Sequence, residues 1–242
     1  MQTKRYALIT GANKGIGFET ALQLGKMGYV ILLGARNELK GEEAAQLLVN
    51  KNIEAHSIML EATRQATIEA AVSQIKQKFG SLDVLINNAG ISAGGATPPS
   101  QISLEDIRKT YDTNFFGMIS VTQAMLPLLQ QSSAGRIVNL TSGLGSLAYN
   151  SDPTHEHAQF NLLAYNSSKA AVNMFTVTLA KEFRNTPLKI NSADPGFTAT
   201  DLNGFTGLGT VKQAAAIVVK LAVLDENGPS GGFHGNDGEL PW

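Results

Sequence analysis

Residues 8–17 read LITGANKGIG and place Gly11, Gly15 and Gly17 between a short apolar run and a helical pattern. A glycine-rich turn between a strand and a helix is typical of dinucleotide-binding loops, because glycine allows close approach to a phosphate and the helix start offers unpaired N–H groups. The spacing differs from the common G-x-G-x-x-G pattern, and it also lacks the G-K-[ST] sequence of a P-loop. The stretch therefore predicts a phosphate-binding turn, and the alternative is a tight turn that holds no ligand.

Outward from this turn, short apolar runs alternate with helical patterns. The predicted strands are 6–10, 30–34, 55–60, 84–88, 136–141, 189–194 and 232–234. The predicted helices are 16–28, 38–51, 65–79, 103–131, 160–184 and 210–223. This alternation, with continuous apolar strands, predicts an α/β fold with a doubly wound parallel sheet covered on both faces. No linker divides the chain, so we expect one domain over residues 1–242.

Composition narrows the class of protein. The 242 residues are 43% hydrophobic and 16% charged, which predicts a folded globular chain. A net charge of −1 argues against nucleic acid or an anionic membrane as a partner, and the absence of cysteine excludes disulfides and thiolate metal sites. The apolar run before Gly11 is too short for a signal peptide, so we expect a cytoplasmic protein that does not enter a membrane.

The end of the second predicted strand carries a cation where many dinucleotide folds carry an acid. The stretch reads LLGARN, and Arg36 follows the strand directly. An acid at this place binds the ribose hydroxyls of NAD, whereas an arginine accommodates the 2′-phosphate of NADP. Lys14 adds a second cation beside the glycine turn. We therefore expect NADP(H), and the alternative is that Arg36 is an ordinary solvated charge.

A tyrosine and a lysine share one face of a predicted helix. The stretch AYNSSKAA places Tyr165 and Lys169 four residues apart. We expect the ammonium to lower the pKa of the phenol, so that it exchanges protons near neutral pH as carbonyl–alcohol interconversion requires. Ser142 ends a predicted strand at the same edge of the sheet and could hold a substrate oxygen. A surface Tyr–Lys pair is the alternative, because this spacing is common.

Five separated motifs occur in a fixed order, namely TGANKGIG, NNAG, an isolated Asn114, Ser142 with Y-x-x-x-K, and the PG of ADPGFTATD. Together they resemble the short-chain dehydrogenase/reductase family over essentially the whole chain. The chain is similar to the carbonyl reductases of its NADP-preferring branch. The resemblance implies a Rossmann-type sheet of about seven strands in the order 3-2-1-4-5-6-7.

The resemblance also implies a reaction. It is hydride transfer between a nicotinamide and a carbonyl or alcohol carbon of a small molecule such as a ketone, an aldehyde or a quinone. Tyr165 would be the acid, Ser142 would orient the substrate oxygen, Lys169 would hold the nicotinamide ribose, and Asn114 would bind a water. The residues that the resemblance places against NADP(H) are Gly11, Asn13, Lys14, Gly15, Ile16, Gly17, Arg36, Glu61, Ala62, Asn88, Ala89, Gly90, Tyr165, Lys169, Pro195, Gly196, Thr198 and Thr200.

The chain departs from the family pattern at two places. Glu61 stands where the family usually has an aspartate beside the adenine, which weakens that contact but leaves the backbone of Ala62 to serve it. Ser142 and Tyr165 are 23 residues apart, a longer interval than is usual in the family. We expect an extended substrate-side loop at about 143–160, which we name the insert. A larger insert in similar reductases blocks the family's tetramer, so the sequence leaves a homo-oligomer open.

The insert contains Asp152, His155, Glu156 and His157, which we interpret as a solvated polar loop, and we expect no metal. Loops 92–100, 143–160 and 201–209 should line a mostly apolar substrate pocket. Two other functions stay open. One is a sensor or regulator that binds NADP(H) without turnover, and the other is dehydration, epimerisation or enoyl reduction on the same fold.

Overall fold

The computed structural model describes residues 4–242, and its centre is an eight-stranded sheet in the order β3-β2-β1-β4-β5-β6-β7-β8. The strands are β1 (Arg5–Ile9), β2 (Tyr29–Ala35), β3 (Ala55–Met59), β4 (Val84–Asn87), β5 (Arg136–Leu140), β6 (Lys189–Ala193), β7 (Phe233–Gly235) and β8 (Gly238–Glu239). All neighbours pair in parallel except β7 and β8. The predicted order is confirmed. The sequence missed β8, because two residues are too few to show a periodic pattern.

The helices are α1 (Gly15–Lys26), α2 (Glu38–Val49), α3 (Gln65–Lys78), α4 (Leu104–Tyr111), α5 (Met118–Leu129), α6 (Leu147–Ser151), α7 (Leu163–Glu182) and α8 (Val211–Ala222). The predicted helix 103–131 is interrupted by a π-helical turn at Asp112–Gly117. Gly117 fits there because a Cβ on it would lie 2.9 Å from the carbonyl oxygen of Ala62. Among residues 4–242, no helix combines the length and the apolar character needed to cross a bilayer.

The insert is more ordered than the loop that the sequence predicts. It contains α6 and two short 3-10 turns, Gly143–Gly145 and Glu156–Gln159. Helix α6 begins after Ser146, whose Oγ accepts a hydrogen bond from the Tyr149 amide at 3.1 Å. A serine N-cap is a recognisable helix start, so this signal was available in the sequence.

Both faces of the sheet are buried. Ile9 of β1 belongs to a cluster with Leu24 of α1 and Val218 of α8. Leu8, which points to the opposite face, belongs to a second cluster that includes Met125 of α5. Because each strand is covered on both sides, its apolar residues run continuously rather than alternating with polar ones.

A ladder of buried polar side chains crosses the sheet and reaches α7. Asn87 Nδ2 of β4 donates to Asn139 Oδ1 of β5 at 2.8 Å. Asn139 Nδ2 donates to Thr176 Oγ1 of α7 at 2.9 Å, and Ser192 Oγ of β6 donates to the same oxygen at 2.9 Å. Three adjacent strands are therefore tied to the helix that carries Tyr165 and Lys169.

Replacing Asn139 by Ala should destabilise the protein, because it opens a gap in the sheet and removes a hydrogen-bond partner of both Asn87 and Thr176. We expect a loss of about 2–4 kcal/mol in the free energy of unfolding, measured by urea denaturation. The exposed control Asn50→Ala should change it by less than about 0.5 kcal/mol. Equal losses for the two variants would contradict a structural role for the ladder.

Candidate active site

The glycine turn lies against the turn that follows β4. A Cβ on Gly11, which has a φ of +62°, would lie 3.1 Å from Ala89 Cα, and a Cβ on Gly17 would lie 2.5 Å from Asn88 Nδ2. Neither position tolerates a larger side chain without movement of its neighbour. The motif therefore has glycine at these two places because two backbone segments meet there.

Threonine and asparagine side chains hold these two turns together. Thr10 Oγ1 accepts hydrogen bonds from the amides of Asn88 and Ala89, both at 3.0 Å. Asn88 Nδ2 donates to the carbonyl oxygens of Thr10 and Gly11 at 2.8 and 3.1 Å. The side chain of Asn88 thus positions the glycine turn, a role that the sequence did not predict for it.

The start of α1 can accommodate an anion. Lys14 is its N-cap residue, and no side chain caps this end of the helix. The first N–H groups of α1 are therefore left for a ligand, and with the close-packed glycines they fit the pyrophosphate of a dinucleotide.

The two cations expected at a 2′-phosphate are not brought together. Lys14 Nζ lies 3.1 Å from Asp201 Oδ1, in the loop that follows β6, and both side chains are more than half exposed. Arg36 is exposed at the end of β2, and across residues 4–242 it forms no ion pair. Arg36 therefore remains available for an anion, while Lys14 is engaged on the other side of the glycine turn.

Three other predicted cofactor residues have partners within the chain. Glu61 Oε2 lies 3.6 Å from Arg64 Nη1. Thr198 is buried, and its hydroxyl donates to the carbonyl oxygens of Pro195 and Gly196 at 3.1 and 3.2 Å. The Thr200 amide donates to the side chain of Asn203 at 3.2 Å. These contacts shape the loops that follow β3 and β6, and the predicted cofactor contacts of these residues remain predictions.

Asn114 lies in the π-helical turn, so the irregular backbone expected at this residue is confirmed. Its Oδ1 accepts from the Ile91 amide at 2.8 Å, and its Nδ2 donates to the Ile91 carbonyl and to Ser168 Oγ at 2.9 and 3.0 Å. Ser168 Oγ in turn donates to the Tyr165 carbonyl at 2.7 Å. The Asn114 side chain thus connects the segment after β4 with α7.

Lys169, on α7, lies near Asn114 and the NNAG turn. Its Nζ donates to the Leu140 carbonyl oxygen at 2.8 Å and lies 5.5 Å from the centroid of the Tyr165 ring. A Cβ on Gly90 would lie 3.4 Å from Asn114 Oδ1 and 3.7 Å from Lys169 Nζ. The NNAG turn, Asn114 and the Tyr–Lys face of α7 therefore converge at one place on the carboxyl edge of the sheet.

The expectation that Lys169 lowers the pKa of Tyr165 is wrong. Burial of the phenol raises its pKa above the ordinary value of 10.0, the charge of Asp194 raises it further, and hydrogen bonding with Ser142 opposes both. The ammonium does not compensate, because it is directed at the Leu140 carbonyl rather than at the phenol. Tyr165 is therefore protonated at neutral pH, which is the state from which an acid donates.

Lys169 is only 5% exposed. Burial lowers the pKa of its ammonium to about 8, and the charge of Asp194 opposes this change. An ammonium with so little solvent is costly unless it is compensated, and the hydrogen bond to the Leu140 carbonyl and the charge of Asp194 offset part of this cost.

Sequence reasoning missed Asp194. It follows β6 in the ADPG stretch, and its Oδ1 accepts a hydrogen bond from the Gly196 amide at 3.0 Å. Its charge acts on Tyr165, Lys169 and His157 of the insert. The available signal was a carboxylate at a strand end on the ligand edge of the sheet.

The insert holds its polar residues in an aromatic cluster. The Tyr149 and His155 rings are stacked, with centroids 3.9 Å apart, and His157 packs edge-on against both. Among residues 4–242, no three His, Asp or Glu side chains are grouped so that they could hold a metal ion.

Replacing Lys169 by Met should change the pH dependence of stability. Between pH 8 and pH 10.5 the unfolded chain binds more protons at Lys169 than the folded chain does, so the wild type gains stability as the pH rises. We expect the wild type to gain up to about 3 kcal/mol relative to Lys169→Met over this range, measured by urea unfolding. The exposed Lys181→Met on the same helix is the control. Parallel pH profiles for the wild type and Lys169→Met would contradict the buried charge.

The chain is similar to known proteins over most of its length. The chain matches a family model described as short chain dehydrogenase over residues 5–208. It is 38% identical over 226 residues to a short-chain dehydrogenase of Penicillium roqueforti, with 91% of this chain and 89% of that protein covered. It is 33% identical to the (-)-isopiperitenone reductase of Mentha piperita, with 99% and 98% covered. The structure of NADPH-bound carbonyl reductase from chicken fatty liver aligns with a TM-score of 0.84 and 27% identity, over 99% of this chain and 100% of that one. The chain therefore belongs to the short-chain dehydrogenase family.

Proposed function

We propose that this chain is an NADPH-dependent oxidoreductase that reduces a ketone, aldehyde or quinone to an alcohol, with residues 1–242 acting as one catalytic domain. The observation that carries the proposal is the convergence of the Tyr–Lys face of α7, the NNAG turn and Asn114 beside the glycine turn. The names of two relatives, an isopiperitenone reductase and an NADPH-bound carbonyl reductase, support the same chemistry.

NADPH, when bound, supplies the hydride for the carbonyl carbon. The uncapped start of α1 would hold its pyrophosphate, and Arg36 would hold the 2′-phosphate. Lys169, fixed by the Leu140 carbonyl, would hold the ribose next to the nicotinamide.

Tyr165 donates its phenolic proton to the substrate oxygen as negative charge develops there. Ser142 donates a hydrogen bond to the same oxygen, and Ser142 also interacts with the phenol in the structure. Asn114 is a positioning residue, because it reaches Tyr165 only through Ser168.

Tyr165→Phe should bind NADPH but lose turnover, because it removes only the hydroxyl. A positioned acid typically contributes about 10²–10⁴-fold, and we expect a loss of this size in kcat. The measurements are NADPH oxidation with a panel of ketones, aldehydes and quinones, and NADPH fluorescence for binding. Turnover by Tyr165→Phe at the wild-type rate would remove the tyrosine from the mechanism, and NADPH binding by a wild type that turns over no carbonyl would favour the sensor.

Arg36→Ala should weaken the preference for NADPH over NADH, because the two cofactors differ only in the 2′-phosphate. Charge-assisted hydrogen bonds of the guanidinium predict a loss of roughly 10- to 150-fold in the ratio of kcat/KM values. Arg36→Lys keeps the charge but not the bidentate geometry, so its ratio of kcat/KM values should lie between those of the wild type and Arg36→Ala. Arg184→Ala, an exposed arginine after α7, is the control. An unchanged ratio in Arg36→Ala at fixed ionic strength would contradict the assignment.

A further inference from the structure

We propose that His157 and Asp194 form a second polar contact in the substrate pocket, which binds a hydroxyl group carried next to the reacting carbonyl. The preferred substrates are then hydroxyketones or hydroxyaldehydes whose remaining surface is apolar. The inference rests on the proposed carbonyl reduction and deepens it.

The two side chains approach the same point beside Ser142. A Cβ on Gly143 would overlap with His157 Nε2 and would lie 3.2 Å from Asp194 Oδ2. Gly143 directly follows Ser142, the residue proposed to hold the substrate oxygen. The absence of a side chain at this position lets a histidine of the insert and a carboxylate of the β6 end converge next to the reacting group.

Both converging atoms have unused hydrogen-bonding capacity. Asp194 uses Oδ1 for the Gly196 amide, and no group in the described part of the chain donates to Oδ2. His157 Nε2 likewise makes no hydrogen bond within residues 4–242, and no ion pair joins it to Asp194. A group that both accepts and donates a hydrogen bond would satisfy both atoms.

The charge state of His157 fits a hydroxyl rather than an anion. Burial and the neighbouring His155 lower the pKa of His157, while Asp194 and Glu156 raise it, and the net direction is downward. The imidazole is therefore neutral at pH 7. Its Nδ1 is buried without a hydrogen bond and lies 3.7 Å from Glu156 Oε1. The proposed contact uses the neutral tautomer with its proton on Nε2, which donates to a hydroxyl oxygen while Asp194 accepts the hydroxyl proton.

Aromatic packing within the insert positions the His157 imidazole. The His157 side chain is 23% exposed, and its ring packs against Tyr149 and His155 with centroid distances of 5.6 and 4.8 Å. Helix α6 of the insert is tied to the C-terminal segment, because the Ala148 amide donates to the Trp242 carbonyl at 3.0 Å. Phe233 of β7 stacks on Trp242 at 5.5 Å.

The test compares two substrates that differ by one hydroxyl, 2-hydroxyacetophenone and acetophenone. We expect the wild type to favour the hydroxyketone in kcat/KM by roughly 10- to 100-fold. His157→Phe keeps the ring packing and removes both nitrogens, so the ratio should fall towards one. Asp194→Asn is an independent second variant with the same expected direction. Ser151→Ala, at an exposed residue of the same insert, is the control and should keep the wild-type ratio.

A purely structural role of His157 would lower kcat/KM for both ketones by the same factor. An unchanged ratio in folded His157→Phe and Asp194→Asn, or a wild type without preference, overturns the inference. Dissociation constants of the two ketones for NADP⁺-loaded protein, measured by calorimetry, should show the same preference. If the wild type turns over neither ketone nor any other carbonyl, the proposed function fails, and the binding constants alone decide the hydroxyl contact.

Discussion

Covering both faces of the sheet leaves the polar chemistry of this chain only one place to assemble. Apart from the polar ladder, the strands are mostly apolar on both faces, so side chains that must meet water or a ligand gather where the strands end. The glycine turn, the NNAG turn, Ser142 and Asp194 all follow strands and share this edge. Helix α7 completes the site because the ladder through Asn139 fixes it to the middle of the sheet.

Two groups of opposite charge, the Asp194 carboxylate and the Lys169 ammonium, lie at this edge of the sheet. Asp194 adds to the effect of burial in raising the pKa of Tyr165, and it opposes the effect of burial on the pKa of Lys169. The carboxylate thus favours the neutral phenol and the charged ammonium that the proposed reduction uses. The same residue contributes its second oxygen to the proposed contact with a hydroxyl group.

Much of the fold and of the candidate site could be predicted from the sequence. The apolar strands, their order and the motifs at their ends depend on local pattern, and the structure brings Tyr165, Lys169, Asn114 and the NNAG turn together as the resemblance implies. The pKa of Tyr165 could not be predicted, because it depends on burial and on Asp194, which is distant in sequence. The position of His157 beside Gly143 could not be predicted either, because no spacing in the sequence indicates that contact.

The ion pair between Lys14 and Asp201 has a consequence for anion binding at the start of α1. It joins the glycine turn to the loop after β6, and both side chains are largely solvated. Such a pair is weak and is screened by salt. An anion that binds at the start of α1 therefore competes for Lys14 at little cost in free energy.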